Sequence, residues 1–312
     1  MQIVFLGTPE FAVPSLKALV AARHKILAVF TQPDRPKGRG NQLAASPVKK
    51  AAIELGVRVL QPDRIRRPEQ VAAIAELQPE LMVVVGYGQI IPQAVIDIPA
   101  HGILNVHASL LPKYRGAAPI QWAIANGETK TGVTIMRIDA GLDTGDILAQ
   151  ASTTIGPEET APELSKRLSD SGAELLVESI KHIENGAAVY KPQDNSSATY
   201  AAVLKKEDGK IDWSLPASAI HNRMRGFMPW PGAYTGFRGQ TLRIYAASPL
   251  ATQAGGEPGT LETEKRKLRV ICGHGSALEL KEIQLEGKKR MGVDAFLNGY
   301  KIEPGERLGD KD

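Results

Sequence analysis

The segment QIVFLGTPEFAVPSLKALVAARHKILAVF, residues 2–30, decides the predicted fold. It begins and ends with short β-branched runs, at 2–6 and 25–30, and the stretch at 10–22 between them has the apolar spacing of a helix. A strand, a helix and a second strand of these lengths are typical of a βαβ unit. Two such strands are expected to lie parallel in one sheet.

The same alternation continues along the chain. Further predicted strands lie at 57–60, 81–85 and 103–107, with predicted helices at 47–55 and 67–77. Strands that alternate with helices of this length favour an α/β fold with a doubly wound, mostly parallel sheet of the Rossmann-like kind. The fifth strand, 103–107, should be central in the sheet, and its carboxyl end should carry function because ligands bind at that edge.

A different pattern begins after a long amphipathic stretch at 161–185, which predicts a helix that closes the first domain. Short predicted strands follow at 241–246, 259–263, 268–272 and 277–283, without long helices between them. They indicate a small β-barrel, such as one of the oligonucleotide-binding type. We expect a catalytic domain at 1–190, a linker at 191–205 and the barrel at 206–312.

Composition excludes several classes of protein. The 312 residues are 43% hydrophobic and 23% charged, which is typical of a globular chain and not of a disordered or collagen-like one. The longest uncharged apolar stretch, 81–96, is shorter than the roughly 18 residues of a spanning helix. The single cysteine cannot form an internal disulfide, and the first residues lack the basic region of a signal peptide. We therefore expect a cytoplasmic protein.

The basic residues are unevenly distributed along the chain. The net charge is only +4, but the Gly/Pro-rich segment 31–50 carries five basic residues against one acidic residue, Asp34. The basic residues are Arg35, Lys37, Arg39, Lys49 and Lys50. A local excess of this kind makes a polyanionic partner worth considering, but composition alone is equally typical of a solvated basic loop.

Candidate chemistry lies at the end of the fifth strand. Side chains alternate faces along a strand, so Asn105 and His107 should project to the same side. Three carboxylates, Asp139, Asp143 and Asp146, follow on a Gly-interrupted loop. They could hold a divalent cation, but calcium-loop spacing is absent and the six histidines lack zinc-ligand spacing. The better interpretation pairs one of the aspartates with His107.

Other enzyme classes lack their signatures here. The dinucleotide fingerprint requires glycines where Pro9 and Ala12 stand, and no phosphate-binding G-x-x-x-x-G-K-[ST] motif occurs. The G-x-S-x-G elbow of serine hydrolases is also absent. The sequence therefore argues against an NAD-linked dehydrogenase, a P-loop kinase and a serine hydrolase of that type.

Two segments, NVHASLLPKYRGAAPIQWAI at 105–124 and IDAGLDTGDIL at 138–148, resemble the folate-dependent formyltransferases. Further matching segments follow in the order of the family over nearly the whole chain: VFLGTPEFAVPSL, FTQPDRPKGRG, VVVGYGQIIP, TGVTIM, IDWS and MPWPGAY. Three features are similar to those of the family members that act on aminoacylated initiator tRNA: the segments QPDRPKGRG and PWPGAY, and the length of the second domain. The Asn/His/Asp set alone would specify the chemistry and not the acceptor.

The resemblance implies transfer of the formyl group of N10-formyl-tetrahydrofolate to the α-amine of methionine on initiator methionyl-tRNA, without a metal. Asn105 and His107 would donate hydrogen bonds to the tetrahedral oxyanion. Asp143 would favour the protonated form of His107 and accept the proton of the amine. These three residues are the implied catalytic set.

The resemblance also implies binding residues. A loop that enters a groove of the tRNA acceptor end would carry Arg35, Lys37 and Arg39, and lysines of the second domain would bind phosphates. The folate-binding residues would be Gly88, Gln89, Ile90, Ile91, Ser109, Leu110, Leu111, Pro112 and Asp139. The phosphate-binding lysines would be Lys205, Lys206 and Lys210. We expect the chain to act as a monomer.

Two alternatives remain at this point. A formyltransferase acting on a small amine, such as glycinamide ribonucleotide or an amino sugar nucleotide, would share the active site, although the former does not need a second domain. A catalytically idle RNA-binding protein could keep the basic surface. The intact Asn105, His107 and Asp143 argue against that second alternative.

Overall fold

The computed structural model describes residues 1–37, 42–250 and 255–309. The chain divides into two compact units. Unit 1 consists of Met1–Pro119, Lys130–Thr154 and Glu163–Ala201. Unit 2 consists of Ile120–Thr129, Ile155–Pro162 and Ala202–Asp312. The second unit thus takes two short segments from the middle of the chain as well as the C-terminal third.

Unit 1 contains eleven strands in the described residues. They are β1 (Gln2–Gly7), β2 (Lys25–Phe30), β3 (Arg35–Lys37), β4 (Gln42–Ala44), β5 (Val59–Leu60), β6 (Leu81–Val85), β7 (Ile103–His107), β8 (Arg115–Gly116), β9 (Lys130–Arg137), β10 (Ile147–Thr154) and β11 (Tyr200–Ala201). Seven of them form the main sheet, in the order β10-β9-β7-β6-β1-β2-β5. The two small pairs are β3 with β4, antiparallel, and β8 with β11, parallel.

The main sheet is mostly parallel, as predicted. Strands β1, β2, β5, β6 and β7 run parallel, whereas β9 is antiparallel to β7 and β10 is antiparallel to β9. From β1 the chain proceeds outward to β2 and β5, and then returns to place β6 on the other side of β1. The order therefore reverses between β1 and β6, which is the position where open α/β sheets bind ligands.

Burial explains why these segments form the sheet. All five residues of β6 are buried, and so are residues 3–7 of β1. Strands that are covered on both faces read as continuous apolar runs and not as alternating ones. The β-branched composition of LMVVV at 81–85 is the sequence form of that position.

The described part of the first 190 residues contains six α-helices. They are α1 (Val13–Ala21), α2 (Pro47–Glu54), α3 (Pro68–Glu76), α4 (Gln93–Ile96), α5 (Pro119–Ala125) and α6 (Ala161–Glu184). The predicted helix at 10–22 begins as a 3-10 turn at Glu10–Ala12, and α1 follows with a proline in its first turn, where the missing N–H costs nothing. The long helix predicted at 161–185 is α6.

Unit 2 is built on an antiparallel sheet. Its elements are α7 (Ala217–Gly226), β12 (Ala233–Phe237), β13 (Gln240–Leu250), β14 (Leu261–Glu264), β15 (Lys267–Cys272), β16 (Ser276–Leu285), β17 (Met291–Gly292) and α8 (Val293–Gly299). The strand order is β12-β13-β16-β15-β14, and β17 pairs with β16. Trp213, Phe237 and Phe296 lie in its apolar core. An α/β domain followed by a small β domain is therefore confirmed.

Some details differ from the prediction. Strand β7, predicted at the centre, is third from one edge, because β9 and β10 extend the sheet by only two strands on its side. Strand β5 is shorter than the predicted 57–60, since it pairs with β2 only at Val59 and Leu60. In the described part of the chain, no helix combines the length and the apolar character needed to cross a membrane.

The segment predicted as a linker, 191–205, is partly hydrogen-bonded to unit 1. Lys191 pairs with Ile147, and β11 pairs with β8. The domain boundaries at 190 and 206 stay a prediction.

Candidate active site

Strand β7 places two polar side chains at its carboxyl end. The strand pairs with β6 on one side and with β9 on the other, where Asn105 is opposite Met136 and His107 is opposite Thr134. This pairing fixes the register of the strand, so Asn105 and His107 project to one face. The predicted juxtaposition of an amide and an imidazole is present.

The His107 ring is held through both nitrogen atoms. Its Nε2 lies 2.9 Å from the carbonyl oxygen of Tyr114, and its Nδ1 lies 3.6 Å from Oδ2 of Asp143. A carbonyl oxygen only accepts hydrogen bonds, so Nε2 carries a proton and donates it. Nδ1 therefore faces the Asp143 carboxylate. The side chain is 6% exposed, which reduces screening of that charge.

Asp143 joins the two strand residues. Its Oδ1 accepts from Nδ2 of Asn105 at 3.4 Å, and its Oδ2 accepts from the backbone N–H of Gly116 at 2.8 Å. The second N–H of the Asn105 amide has no acceptor among the described residues. One donor of Asn105 is thus used to orient the amide, and the other is available to a bound molecule.

The backbone near Asn105 and His107 adopts an unusual conformation at two residues. Tyr114 and Asp143 have φ values of 61° and 52°, in the left-handed region that residues other than glycine seldom adopt. Each such residue costs about 1–3 kcal/mol and is retained where the surrounding structure requires it. Here the two residues supply the carbonyl that binds His107 and the carboxylate that faces it.

Two glycines permit the close packing of the site. Gly116 has φ +118°, and a Cβ there would lie 2.6 Å from the carbonyl oxygen of Ala201. A Cβ at Gly145 would lie 1.8 Å from the carbonyl oxygen of Arg137. Any side chain at either position would displace the backbone, because real Cβ contacts are not shorter than 3.0 Å.

Asp139, on the same 139–146 loop, has another role. Oδ1 of Asp139 accepts from the backbone N–H of Gly141 at 3.0 Å and from Oγ1 of Thr144 at 2.7 Å, which closes the loop on itself. Within residues 1–37, 42–250 and 255–309, no group of three or more His, Cys, Asp or Glu side chains is placed to hold a metal ion.

The residues predicted to bind folate are divided by their contacts. Gln89 uses its amide to bind the 62–65 segment: its oxygen accepts from Ile65 N at 2.7 Å and its nitrogen donates to the Pro62 carbonyl at 3.1 Å. Ser109 donates to the Lys113 carbonyl at 2.6 Å. Ile90, by contrast, is 91% exposed. The structure therefore leaves apolar surface open at Ile90 and uses the side chains of Gln89 and Ser109 within the protein.

A cavity of about 480 Å³ lies at the carboxyl ends of β1 and β2. Thr8, Gln32 and Gly88 line it, together with Pro33 and Ser46. Oγ1 of Thr8 and Nε2 of Gln32 both donate to the Tyr87 carbonyl, at 3.0 Å and 3.2 Å, which ties together the loops that follow β1, β2 and β6. This is the point where the strand order reverses.

The residues predicted to bind tRNA lie in two places. Arg35 is exposed and begins β3, and the backbone of Lys37 pairs with Gln42 in the same hairpin. Arg39 lies outside the described residues. In unit 2, Lys205, Lys206 and Lys210 are exposed around a 3-10 turn at Lys206–Gly209.

The sequence did not point to the Tyr114 carbonyl or the Gly116 N–H. Both are backbone groups, which residue identity does not reveal. The only available signal was the loop at 109–120 that follows the strand, because loops at strand ends position ligand-binding groups.

Comparison with known proteins shows that the fold occurs in solved structures. A solved structure with a similar fold is the N-formyltransferase from Helicobacter canadensis in complex with folinic acid and dTDP-3-aminofucose. It aligns with a TM-score of 0.68 over 89% of this chain and 98% of its own, at 21% identity. That likeness establishes the fold.

Two family models match the chain: "Formyl transferase" over residues 1–180 and "Formyl transferase, C-terminal domain" over residues 203–301. The methionyl-tRNA formyltransferase of Solibacter usitatus is 57% identical over 310 residues, 99% of each chain. That of Koribacter versatilis is 55% identical, again over 99% of each chain. This chain therefore belongs to the methionyl-tRNA formyltransferase family within the formyl transferases.

Proposed function

We propose that this enzyme transfers the formyl group of N10-formyl-tetrahydrofolate to the α-amine of methionine on initiator methionyl-tRNA, for the initiation of translation. The observation that carries the proposal is the meeting of Asn105, His107 and Asp143 in a chain that matches enzymes of this name over 99% of its length. The reaction is acyl transfer through a tetrahedral oxyanion.

Asn105 supplies a fixed donor for that oxyanion. One N–H of its amide is bound to Asp143, which sets the plane of the amide before substrate arrives. The other N–H then donates to the formyl oxygen as negative charge develops on it. A preorganised donor of this kind contributes about 3–4 kcal/mol to acyl transfer.

His107 acts through Nδ1. Its Nε2–H is bound to the Tyr114 carbonyl, so the ring cannot turn without losing that hydrogen bond. Nδ1, which lies 3.6 Å from the Asp143 carboxylate, is the ring nitrogen left to donate to the oxyanion.

Asp143 handles the proton that the amine loses. The attacking α-amine must be neutral before attack and becomes cationic as the new C–N bond forms. The carboxylate accepts that proton directly or through water, and it returns to the ionised state when the leaving folate nitrogen is protonated. The Gly116 N–H, 2.8 Å from Oδ2, stabilises the ionised carboxylate before the first of these steps and after the second.

The folate end has a surface that suits a flat heterocycle. Two large apolar side chains follow strand ends and are exposed to solvent, Ile90 at 91% and Leu142 at 61%. Apolar walls with a few polar groups are typical of small-molecule sites. Gly88, Ile91, Leu110, Leu111, Pro112 and Asp139 complete the proposed folate site. The side chains of Gln89 and Ser109 would support it indirectly, since they are bound within the protein.

Two basic groups would bind tRNA. The basic loop consists of Arg35, Lys37 and Arg39, and the lysine cluster consists of Lys205, Lys206 and Lys210. Basic side chains at a surface bind the phosphate backbone regardless of sequence. We assign the lysine cluster to that role and the basic loop to contacts near the acceptor end. Because the acceptor belongs to translation, the enzyme is proposed to act in the cytoplasm.

The test is a stoichiometric transfer assay. The purified chain is incubated with N10-formyl-tetrahydrofolate and initiator methionyl-tRNA, and the ester is then hydrolysed to release the amino acid. We expect formylmethionine and tetrahydrofolate in equal amounts, and loss of both in a folded Asn105→Ala variant. Formate release without formylmethionine would contradict the proposal, because the donor would then be hydrolysed and not used for acyl transfer.

A further inference from the structure

Residues 191–201 form a strap that is attached to unit 1 at both ends. At one end Lys191 and Ile147 exchange backbone hydrogen bonds of 2.8 Å and 2.9 Å. At the other end β11 pairs in parallel with β8, and the N–H of Arg115 donates to the Thr199 carbonyl at 2.8 Å. Fixed ends of this kind hold the middle of the strap beside the loop that carries Asp143.

Gln193, in the middle of the strap, uses every hydrogen-bonding position of its side-chain amide. Its Nε2 donates to the carbonyl of Asp143 at 2.9 Å and to that of Gly145 at 2.7 Å. Its Oε1 accepts from Nε and Nη2 of Arg115 at 3.1 Å and 2.8 Å. An amide has two donor hydrogens and two acceptor positions, so it is fully satisfied here. Such an arrangement determines which way the amide points.

Arg115 is the other half of this connection. It is 2% exposed, and the partners of its guanidinium are amide oxygens, those of Gln193 and of Asn195 at 2.7 Å. A buried guanidinium requires good acceptors, because an unsatisfied one is costly. The next residue, Gly116, donates its N–H to the Asp143 carboxylate. Arg115 is therefore connected to Asp143 by its own backbone and, through Gln193, by its side chain.

We propose that Gln193 and Arg115 are positioning residues for Asp143. Gln193 holds the backbone of Asp143 in its left-handed conformation, φ 52°, from one side. The peptide N–H that follows Arg115 holds the carboxylate from the other side. The carboxylate is thereby kept within reach of both Asn105 and His107. This inference rests on the proposed function, in which Asp143 takes part in the transfer.

The Gln193→Glu substitution separates the hydrogen bonds to Arg115 from those to the carbonyls of Asp143 and Gly145. A carboxylate of the same shape still accepts from Arg115, and the added charge strengthens that contact. It has no donor for the carbonyls of Asp143 and Gly145, and it places an anion against their oxygen atoms. The variant thus loses the hydrogen bonds to the loop that carries Asp143 and keeps those from Arg115. Misplacement of a reacting group by about 1 Å can lower a rate about 100-fold.

The experiment compares Gln193→Glu with wild type and with Asp194→Ala. Asp194 is the neighbouring strap residue, and its carboxylate binds only within the strap, to Ser196 and Ser197, among the described residues. We expect Gln193→Glu to lower kcat on the order of 10- to 100-fold, with KM for methionyl-tRNA and for folate within about three-fold. Asp194→Ala should keep kcat within about two-fold of wild type. Equal losses in both variants would overturn the proposal, since any disturbance of the strap would then suffice.

A double-mutant cycle with Asp143→Asn shows whether Gln193 acts through Asp143. If it does, Gln193→Glu lowers kcat far less in the Asp143→Asn background than in wild type, and the pH profile of kcat/KM shifts in the single variant. A fully additive loss with an unchanged pH profile would refute the positioning role. Full activity of Asp143→Asn would instead refute the proposed function itself, so the two failures are distinguishable. Thermal melting of each variant separates a loss of fold from either result.

Arg115→Lys tests the second residue. Lysine keeps the charge but cannot donate to Oε1 of Gln193 through a planar fork. We expect a smaller loss of kcat than in Gln193→Glu. As for Gln193→Glu, the loss should be far smaller in the Asp143→Asn background than in wild type. A folded Arg115→Lys variant with wild-type kcat and pH profile would remove Arg115 from the proposal.

Discussion

Replacement of Asp143 by asparagine is the sharpest perturbation of the site, because the two side chains have the same shape. The carboxylate accepts from Gly116 at 2.8 Å and from Asn105 at 3.4 Å, and it faces Nδ1 of His107 at 3.6 Å. An asparagine amide has one oxygen, which can keep the hydrogen bond from Gly116. Its NH2 group would then face the donor of Asn105. The variant therefore loses the negative charge beside His107 and an acceptor for Asn105.

The magnitude follows from these two losses. The lost acceptor for Asn105 is a charged one, and a hydrogen bond to a charged group contributes about 1.5–3 kcal/mol. Each 1.4 kcal/mol corresponds to about ten-fold in rate, so this contact alone corresponds to about 10- to 150-fold, and the lost charge beside His107 adds to it. The proton acceptor for the amine is removed as well. We expect kcat to fall by about 100-fold or more, with folate affinity within a few-fold, because the charge acts on the transition state.

The assay is single-turnover formylation of methionyl-tRNA at saturating enzyme, with tetrahydrofolate binding measured by calorimetry. Asp146→Asn is the matched control, since it removes a carboxylate from the same loop without a contact to Asn105 or His107 among the described residues. It should keep nearly the wild-type rate. A normal rate in Asp143→Asn, or weakened folate binding with a normal rate, would refute the reasoning.

The other predictions concern metal, tRNA and the thiol. Chelators should leave the formylation rate in a stopped assay unchanged, since each step of the transfer is assigned to Asn105, His107 and Asp143. Loss of activity on chelation, with recovery when one divalent ion is added, would contradict this prediction. Alanine substitution of the basic loop should reduce the preference for initiator over elongator methionyl-tRNA. Neutralising the lysine cluster should instead weaken the binding of both tRNAs equally. It should also reduce the slope of log affinity against log salt concentration, measured by filter binding, by up to about one unit for each phosphate that is no longer bound. Burial raises the pKa of the Cys272 thiol to about 12, so the thiol stays protonated between about pH 7 and 9. The rate at which Cys272 is alkylated in the native chain should therefore not rise over that range, whereas the rate for an exposed thiol would rise. Rapid, pH-dependent labelling followed by mass spectrometry would show that Cys272 is accessible.

The sequence predicted the parts of the fold that depend on regular patterns. The apolar runs at 81–85 and 103–104 became parts of buried parallel strands, because apolar residues suit a sheet covered on both faces. The alternation of side chains also placed Asn105 and His107 on one face. The resemblance then pointed to Asp143 among three aspartates, which spacing alone could not do.

Contacts made by loops could not be predicted in the same way. Gln193 lies in a polar, irregular stretch that was predicted as a linker, and its four hydrogen bonds depend on residues far away in the sequence. Helix α7 was also missed, since its sequence, ASAIHNRMRG, has few strong apolar positions and its buried face includes Arg225 and Gly226. In both cases tertiary contacts, and not local preference, determine the conformation.

The central claim is the choice of acceptor, and one measurement tests it most directly. The ratio kcat/KM for formyl transfer from N10-formyl-tetrahydrofolate is measured with initiator methionyl-tRNA, free methionine, glycinamide ribonucleotide and an amino sugar nucleotide, under one set of salt and pH conditions. We predict that methionyl-tRNA exceeds each small amine by at least about 1,000-fold, because only the tRNA can use the basic loop and the lysine cluster as well as the active site. A small amine formylated as efficiently as methionyl-tRNA would contradict the account.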